Sequence, residues 1–154
     1  MAYKTIKLKK YVDIIEEYVA TAVAIMPGAL LELTSAGLVQ AHATAGGNCL
    51  PMFALEDELQ GNGIDTTYAA SARVQVWVPV RGEIVYARLA DGQNVAVGDF
   101  LESAGAGSLQ KYTADPGESN PNLGSQIVGV AVEALNLTGS ANLTAVGRIA
   151  VRIL

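Results

Sequence analysis

Apolar and polar residues alternate with a period of two along much of the chain, the spacing at which successive side chains of a strand point to opposite faces. In "RVQVWVPV", residues 73–80, Val74, Val76, Val78 and Val80 fall on one face and Arg73, Gln75, Trp77 and Pro79 on the other. "GRIAVRIL" at the carboxyl end repeats the pattern, with Ile149, Val151 and Ile153 opposite Arg148, Ala150 and Arg152. Further strands are predicted over 19–25, 29–34, 38–43, 83–89, 99–103, 108–113 and 126–134, separated by turn material such as "MPG", "SAG", "VRG" and "ADGQ". Only "YVDIIEEYVA", residues 11–20, is spaced for a helix, and one short helix is predicted there. Many short strands with glycine turns predict an all-β fold, a small barrel or sandwich.

One hairpin phrase occurs twice. "PGALLELTSAGLVQAH" and "VGDFLESAGAGSLQKY" align without a gap at a spacing of seventy positions, matching Gly28 to Gly98, Leu31 to Leu101, Glu32 to Glu102, Ala36 to Ala106, Gly37 to Gly107 and Gln40 to Gln110. Two long connections interrupt the strands. "FALEDELQGNGIDTTYAASA" is predicted to be a polar loop with a turn of helix near Glu56 to Leu59, and "TADPGESNPNLGS", residues 113–125, an exposed one.

With 154 residues, half of them hydrophobic, the chain has the material for one core without metals or disulfides. No apolar run is long enough for a membrane helix, because Thr21, Pro27, Gly28 and Glu32 interrupt the best candidate. Asp13, Glu16 and Glu17 fall where a signal peptide needs its apolar segment, and Cys49 is a lone cysteine, so a protein kept in a reducing cytoplasm is expected. The net charge of −5 conceals an asymmetry: Lys4, Lys7, Lys9 and Lys10 supply four of ten basic residues, leaving six against fifteen acids. So acidic a body repels phosphate, and nucleic acid is not an expected partner.

Candidate chemistry is sparse. His42, the only histidine, stands seven residues before Cys49, but nothing in the sequence supplies a third group to orient such a pair. The carboxylates of Glu56, Asp57 and Glu58 are adjacent, so on a regular backbone they diverge, and they read as a solvated acidic loop. Neither a phosphate loop nor a dinucleotide motif is present. The two "NLT" tripeptides at Asn136 and Asn142 read as chance matches to a glycosylation pattern. "GQNVAVGDFLES" resembles the hairpin of biotinyl and lipoyl carrier domains, yet the acceptor lysine of that turn is missing, Lys111 lying within the next strand. No catalytic residue, metal, cofactor or small-molecule substrate is assigned.

Surface therefore becomes the informative property. Trp77 either faces outward as an interface anchor or sits between two buried faces. In "KTIKLKK", Ile6 and Leu8 alternate with Lys7 and Lys9; such a segment adds to a neighbour's sheet edge, pairs within its own barrel, or frays.

The phrases "PGALLELTSAGLVQAHATAGG", "VWVPVRGEIVYARLADGQNVAVGDFLESAGAGSLQKYTA" and "SQIVGVAVEALNLTGSANLTAVGRIAVRIL" together resemble the head decoration, or cement, proteins of tailed double-stranded DNA bacteriophages, over roughly residues 18 to 154. The resemblance implies a β-tulip or related barrel domain at 19–154 behind an extended amino-terminal arm at 1–18. It implies a homotrimer on the outer capsid surface that clamps the major capsid protein, in a virion assembled in a host cytoplasm. On it, Tyr3, Lys4, Ile6, Lys7, Leu8, Lys9, Lys10 and Trp77 become the expected shell contacts. The alternatives are a binding module of a tail or fibre and, further off, the carrier domain.

Overall fold

A computed structural model describes residues 3–113, 126–139 and 147–154. The described strands are β1 (Lys7–Lys9), β2 (Ile15–Val19), β3 (Leu31–Leu33), β4 (Val39–Ala41), β5 (Phe53–Ala54), β6 (Arg73–Trp77), β7 (Ile84–Leu89), β8 (Asn94–Val95), β9 (Phe100–Gly105), β10 (Ser108–Lys111), β11 (Ile127–Ala131), β12 (Leu135–Asn136) and β13 (Gly147–Ile153). The fold is all-β. A single turn of 3-10 helix, Glu58–Gln60, lies where the acidic loop predicts one, capped by the Asp57 side chain.

Five strands close a barrel in the order β7, β10, β9, β11, β13, with β13 returning to pair β7 from Gly147↔Leu89 to Arg152↔Ile84. Strict alternation makes this possible. Val85, Ala87 and Leu89 of β7 and Ile149, Val151 and Ile153 of β13 all point into the barrel and are buried, as the period-two pattern predicts. The other edge of β7 is sealed piecemeal: the Tyr86 N–H donates to Ile6 O at 2.8 Å, Arg88 N–H to Gly28 O at 2.9 Å and Ala90 N–H to Leu109 O at 2.8 Å. Three separate segments thus finish one edge, and the first belongs to the amino-terminal segment.

A second core lies beside the barrel, built from Ala20, Ile25, Ala29, Leu31, Val39, Met52, Ala54, Tyr68, Val74 and Val76. Strand β6 is the middle of a three-stranded sheet, β2-β6-β5, between the two cores. Its Val74 and Val76 pack into the second core while Trp77 packs into the barrel core with Phe53 and Ile6. Both faces of this strand are therefore covered.

The repeated phrase folds into the same hairpin twice, in matching register. Glu32 pairs with Gln40 across β3–β4 and Glu102 with Gln110 across β9–β10. In each, the glutamine amide donates to the glutamate, at 2.7 Å and 2.9 Å. The copies dock on one another: Leu30 N–H donates to Gly107 O at 2.9 Å and Gly107 N–H to His42 O at 3.1 Å. A Cβ on Gly107 would lie 3.0 Å from the Ala29 Cβ, so its turn must be glycine both for a φ of +73° and for the contact. Only β9–β10 enters the barrel, while β3–β4 forms a separate two-stranded sheet.

The predicted helix at 11–20 is instead β2, antiparallel to β6 from Ile15↔Trp77 to Val19↔Arg73. Its β-branched ends suit a strand, and a ready sheet edge overrides weak helical spacing. The strand predicted over 19–25 is reduced to isolated bridges, Ala20↔Val39 and Ile25↔Tyr68. The loop predicted over 113–125 lies outside the described residues from 114 onward, as does Asn142.

Candidate functional site

The amino-terminal segment, expected as an extended arm that adds to a neighbour's sheet, pairs within its own barrel or frays, lies along the barrel, with β1 paired to β7. Its first anchor is Ile6, buried in the barrel core, whose N–H donates to both oxygens of the Glu56 carboxylate at 3.1 and 3.3 Å. Glu83, fully buried at 0% exposure, accepts the N–H of Val12 at 2.9 Å and that of Tyr11, and its other oxygen accepts Val80 N–H at 2.7 Å. Two buried carboxylates thereby satisfy backbone donors that the short strand β1 leaves unpaired. Glu56 is consequently not part of a solvated acidic loop; at 4% exposure it is a structural acceptor, while Glu58 is exposed.

The expected contact residues separate into groups. Lys7 and Lys10 both pair with Asp13, whose carboxyl is held below its ordinary value chiefly by its hydrogen bond to Lys10. The Lys9 ammonium lies over the Tyr11 ring, 5.4 Å from its centroid. Leu8 is half-buried, and Ile6 is core. Trp77, at 0% exposure, is core as well and offers no surface for an anchor, because β6 has a core on each side. Tyr3 and Lys4 remain exposed, and the fold brings them to a groove.

That groove, about 460 Å³, is lined by Tyr3, Lys4, Ile64, Thr66, Tyr86 and Arg148, with Gly63 and Asp65 at its rim. Tyr3 meets Tyr86 edge to face, ring centroids 5.1 Å apart and planes at 80°. Tyr86 and Arg148 stand on the outer face of β7 and β13 because the inward positions are apolar. The Arg148 guanidinium donates to Asp65 at 2.8 Å and to the carbonyls of Pro27 and Ile64. Burial, with Glu133 nearby, pushes the Tyr86 hydroxyl up from its ordinary value. Alternation marked Arg148 as outward-facing, but the contribution of Tyr86 and of 63–66 depends on long-range packing that no local pattern encodes.

His42 and Cys49 do not form a nucleophile and base. His42 Nε2 lies 3.1 Å from the Asn48 carbonyl oxygen, which fixes that nitrogen as the donor, so Nδ1 accepts from the Ser103 hydroxyl at 2.8 Å. Glu32 stands 3.7 Å from Nε2, giving a serine, histidine and carboxylate in sequence. Ser103 is nevertheless 0% exposed, and its oxygen also accepts Gly105 N–H at 3.1 Å, so no substrate reaches it. The trio ties the two hairpins together. Burial pushes the Cys49 thiol up to about 11, away from a reactive thiolate. Among the described residues no group of three or more His, Cys, Asp or Glu is placed to hold a metal ion, and no helix is long and apolar enough to cross a membrane.

No family model matches the chain, and no curated protein sequence matches it. The fold is nonetheless shared with a solved structure, the head fiber gp8.5 N base of bacteriophage phi29, at TM-score 0.54 and 15% identity, covering 92% of this chain and 95% of that one. At that identity the likeness is one of fold.

Proposed function

We propose that this chain is a structural protein of a phage head, seated on the outside of the shell as a decoration protein that binds the major capsid protein. The observation that carries the reading is the barrel fold, shared across nearly the whole of both chains with a head fiber base. The chemistry is compatible: the candidate nucleophiles Ser103 and Cys49 are respectively buried and held protonated, and the buried carboxylates Glu56 and Glu83 are used on backbone donors. A lattice-bound protein needs rigidity and complementary surface, and repeated modest contacts add up through multivalency. A homotrimer fits this role.

A second reading, the base of a projecting fibre, is favoured by the fold shared with a head fiber base. Copy number separates the two. Quantitative gel analysis of purified particles should find a decoration protein in numbers comparable with the shell protein and a fibre base in far fewer. Absence from particles of either abundance would remove both.

A further inference from the structure

The outer face of the β7–β13 ladder places Arg88 directly opposite Arg148. Like charges set cross-strand destabilise a sheet, and burial of the pair limits how far solvent relieves them. The Arg148 side chain is only 10% exposed, and the Nε of each arginine is buried without an acceptor. Arg148 has Asp65 and two carbonyls, whereas Arg88 has no carboxylate partner among the described residues. Burial first and the neighbouring Arg148 second hold the Arg88 guanidinium below its ordinary value. Arg152 follows on the same face of β13 and Lys4 lies in the adjoining groove, so four of the ten basic residues gather on one side of a chain of net charge −5.

We propose that Arg88 and Arg148, with Lys4, Tyr3 and Tyr86 of the adjoining groove, form a docking site for an acidic segment of a partner protein, an Asp or Glu side chain seating on the arginine pair. Asp65 shows the geometry from within: an 86% exposed carboxylate reaches in from the rim and takes one donor of Arg148. A second carboxylate has the half-buried Arg88 to meet, and a guanidinium presents a fork that suits a carboxylate. The tyrosine rings supply apolar wall for the residue beside the acid. A protein carboxylate is favoured over nucleic acid phosphate because the chain's excess of acids, fifteen against ten bases, repels a long polyanion, while a short acidic segment meets only the local basic face. The inference goes beyond the head-protein reading and rests on it only for where the partner is found.

The test follows the arginine Nε–H signals of nitrogen-labelled protein during titration with a hexaglutamate peptide, with an oligothymidylate of equal charge as the rival probe. Hexaglutamate should shift the Arg88 and Arg148 signals and leave Arg73 unmoved, and Arg88→Gln should weaken the peptide about tenfold or more. Because Arg88 has no carboxylate partner among the described residues and faces Arg148, the same variant should unfold at an unchanged or higher temperature, an effect that a structural role would reverse. No shift, a shift spread equally over Arg73 and Arg81, tighter binding of oligothymidylate, or an Arg88→Gln protein that is destabilised and still binds would each overturn the proposal. A protein that binds hexaglutamate yet is missing from phage heads would lose the head reading and keep this one.

Discussion

Ile6 donates its backbone N–H to both oxygens of Glu56, a residue fifty positions further along the chain, and neither side chain is exposed to solvent. That contact makes the amino-terminal segment part of the domain. Glu56→Ala leaves the Ile6 N–H unsatisfied and should cost about 1–3 kcal/mol, and Ile6→Ala about 2–5 kcal/mol. Removing residues 2–10 should go further and abolish cooperative unfolding, since Tyr86 N–H then loses its acceptor and the barrel core opens. Urea denaturation followed by far-ultraviolet circular dichroism measures all three; a truncated protein with wild-type stability would show that the segment is a removable arm.

Trp77 should behave as core. Its emission should be blue-shifted and poorly quenched by acrylamide until the protein unfolds, and Trp77→Ala should cost about 3–5 kcal/mol. Quenching as efficient as that of free tryptophan would contradict the burial of β6 between two cores.

The repeated hairpins offer an internal control. Gly28 and Gly98 occupy matching positions with φ of +85° and +92°, so alanine is strained at both. At Gly28 the new Cβ also meets Tyr86 O at 2.9 Å, whereas at Gly98 nothing lies within 4 Å. Gly98→Ala should cost about 1–2 kcal/mol and Gly28→Ala clearly more. Equal losses in thermal unfolding would mean that the Gly28 turn is not closing the β7 edge.

Cys49 carries a pH signature. Its thiol, raised from 9.0 to about 11 by burial, should react slowly with iodoacetamide near neutral pH and accelerate only as the pH approaches about 11. Because the folded-state value is the higher one, the associated stability is fully present below about 9 and is lost as pH rises through about 11. Rapid alkylation of folded protein at neutral pH would refute the assignment.

Much of the barrel was legible in the sequence because period two is a local property: Val85, Ala87 and Leu89 declare their face without knowledge of their neighbours. The repetition of the hairpin was legible too, while its register, Glu32 opposite Gln40 and Glu102 opposite Gln110, is a property of the folded ladder. What escaped was decided at long range. Ile15 to Val19 became a strand because β6 presented an edge, and Glu56 turned inward because Ile6 needed an acceptor. The surface was read least well. Of the expected contacts only Tyr3 and Lys4 reach the groove, and Arg88 is illegible in the sequence, since a lone arginine in an alternating strand looks like any solvated position until its partner across the ladder is known.

The central claim is that the protein belongs to a phage head, and sedimentation of a lysate from its source tests that most directly. The account predicts that the protein travels with particles of virion size and remains with them through a density gradient. Migration solely as a small free species, with intact heads in the same gradient carrying none of it, would contradict the account.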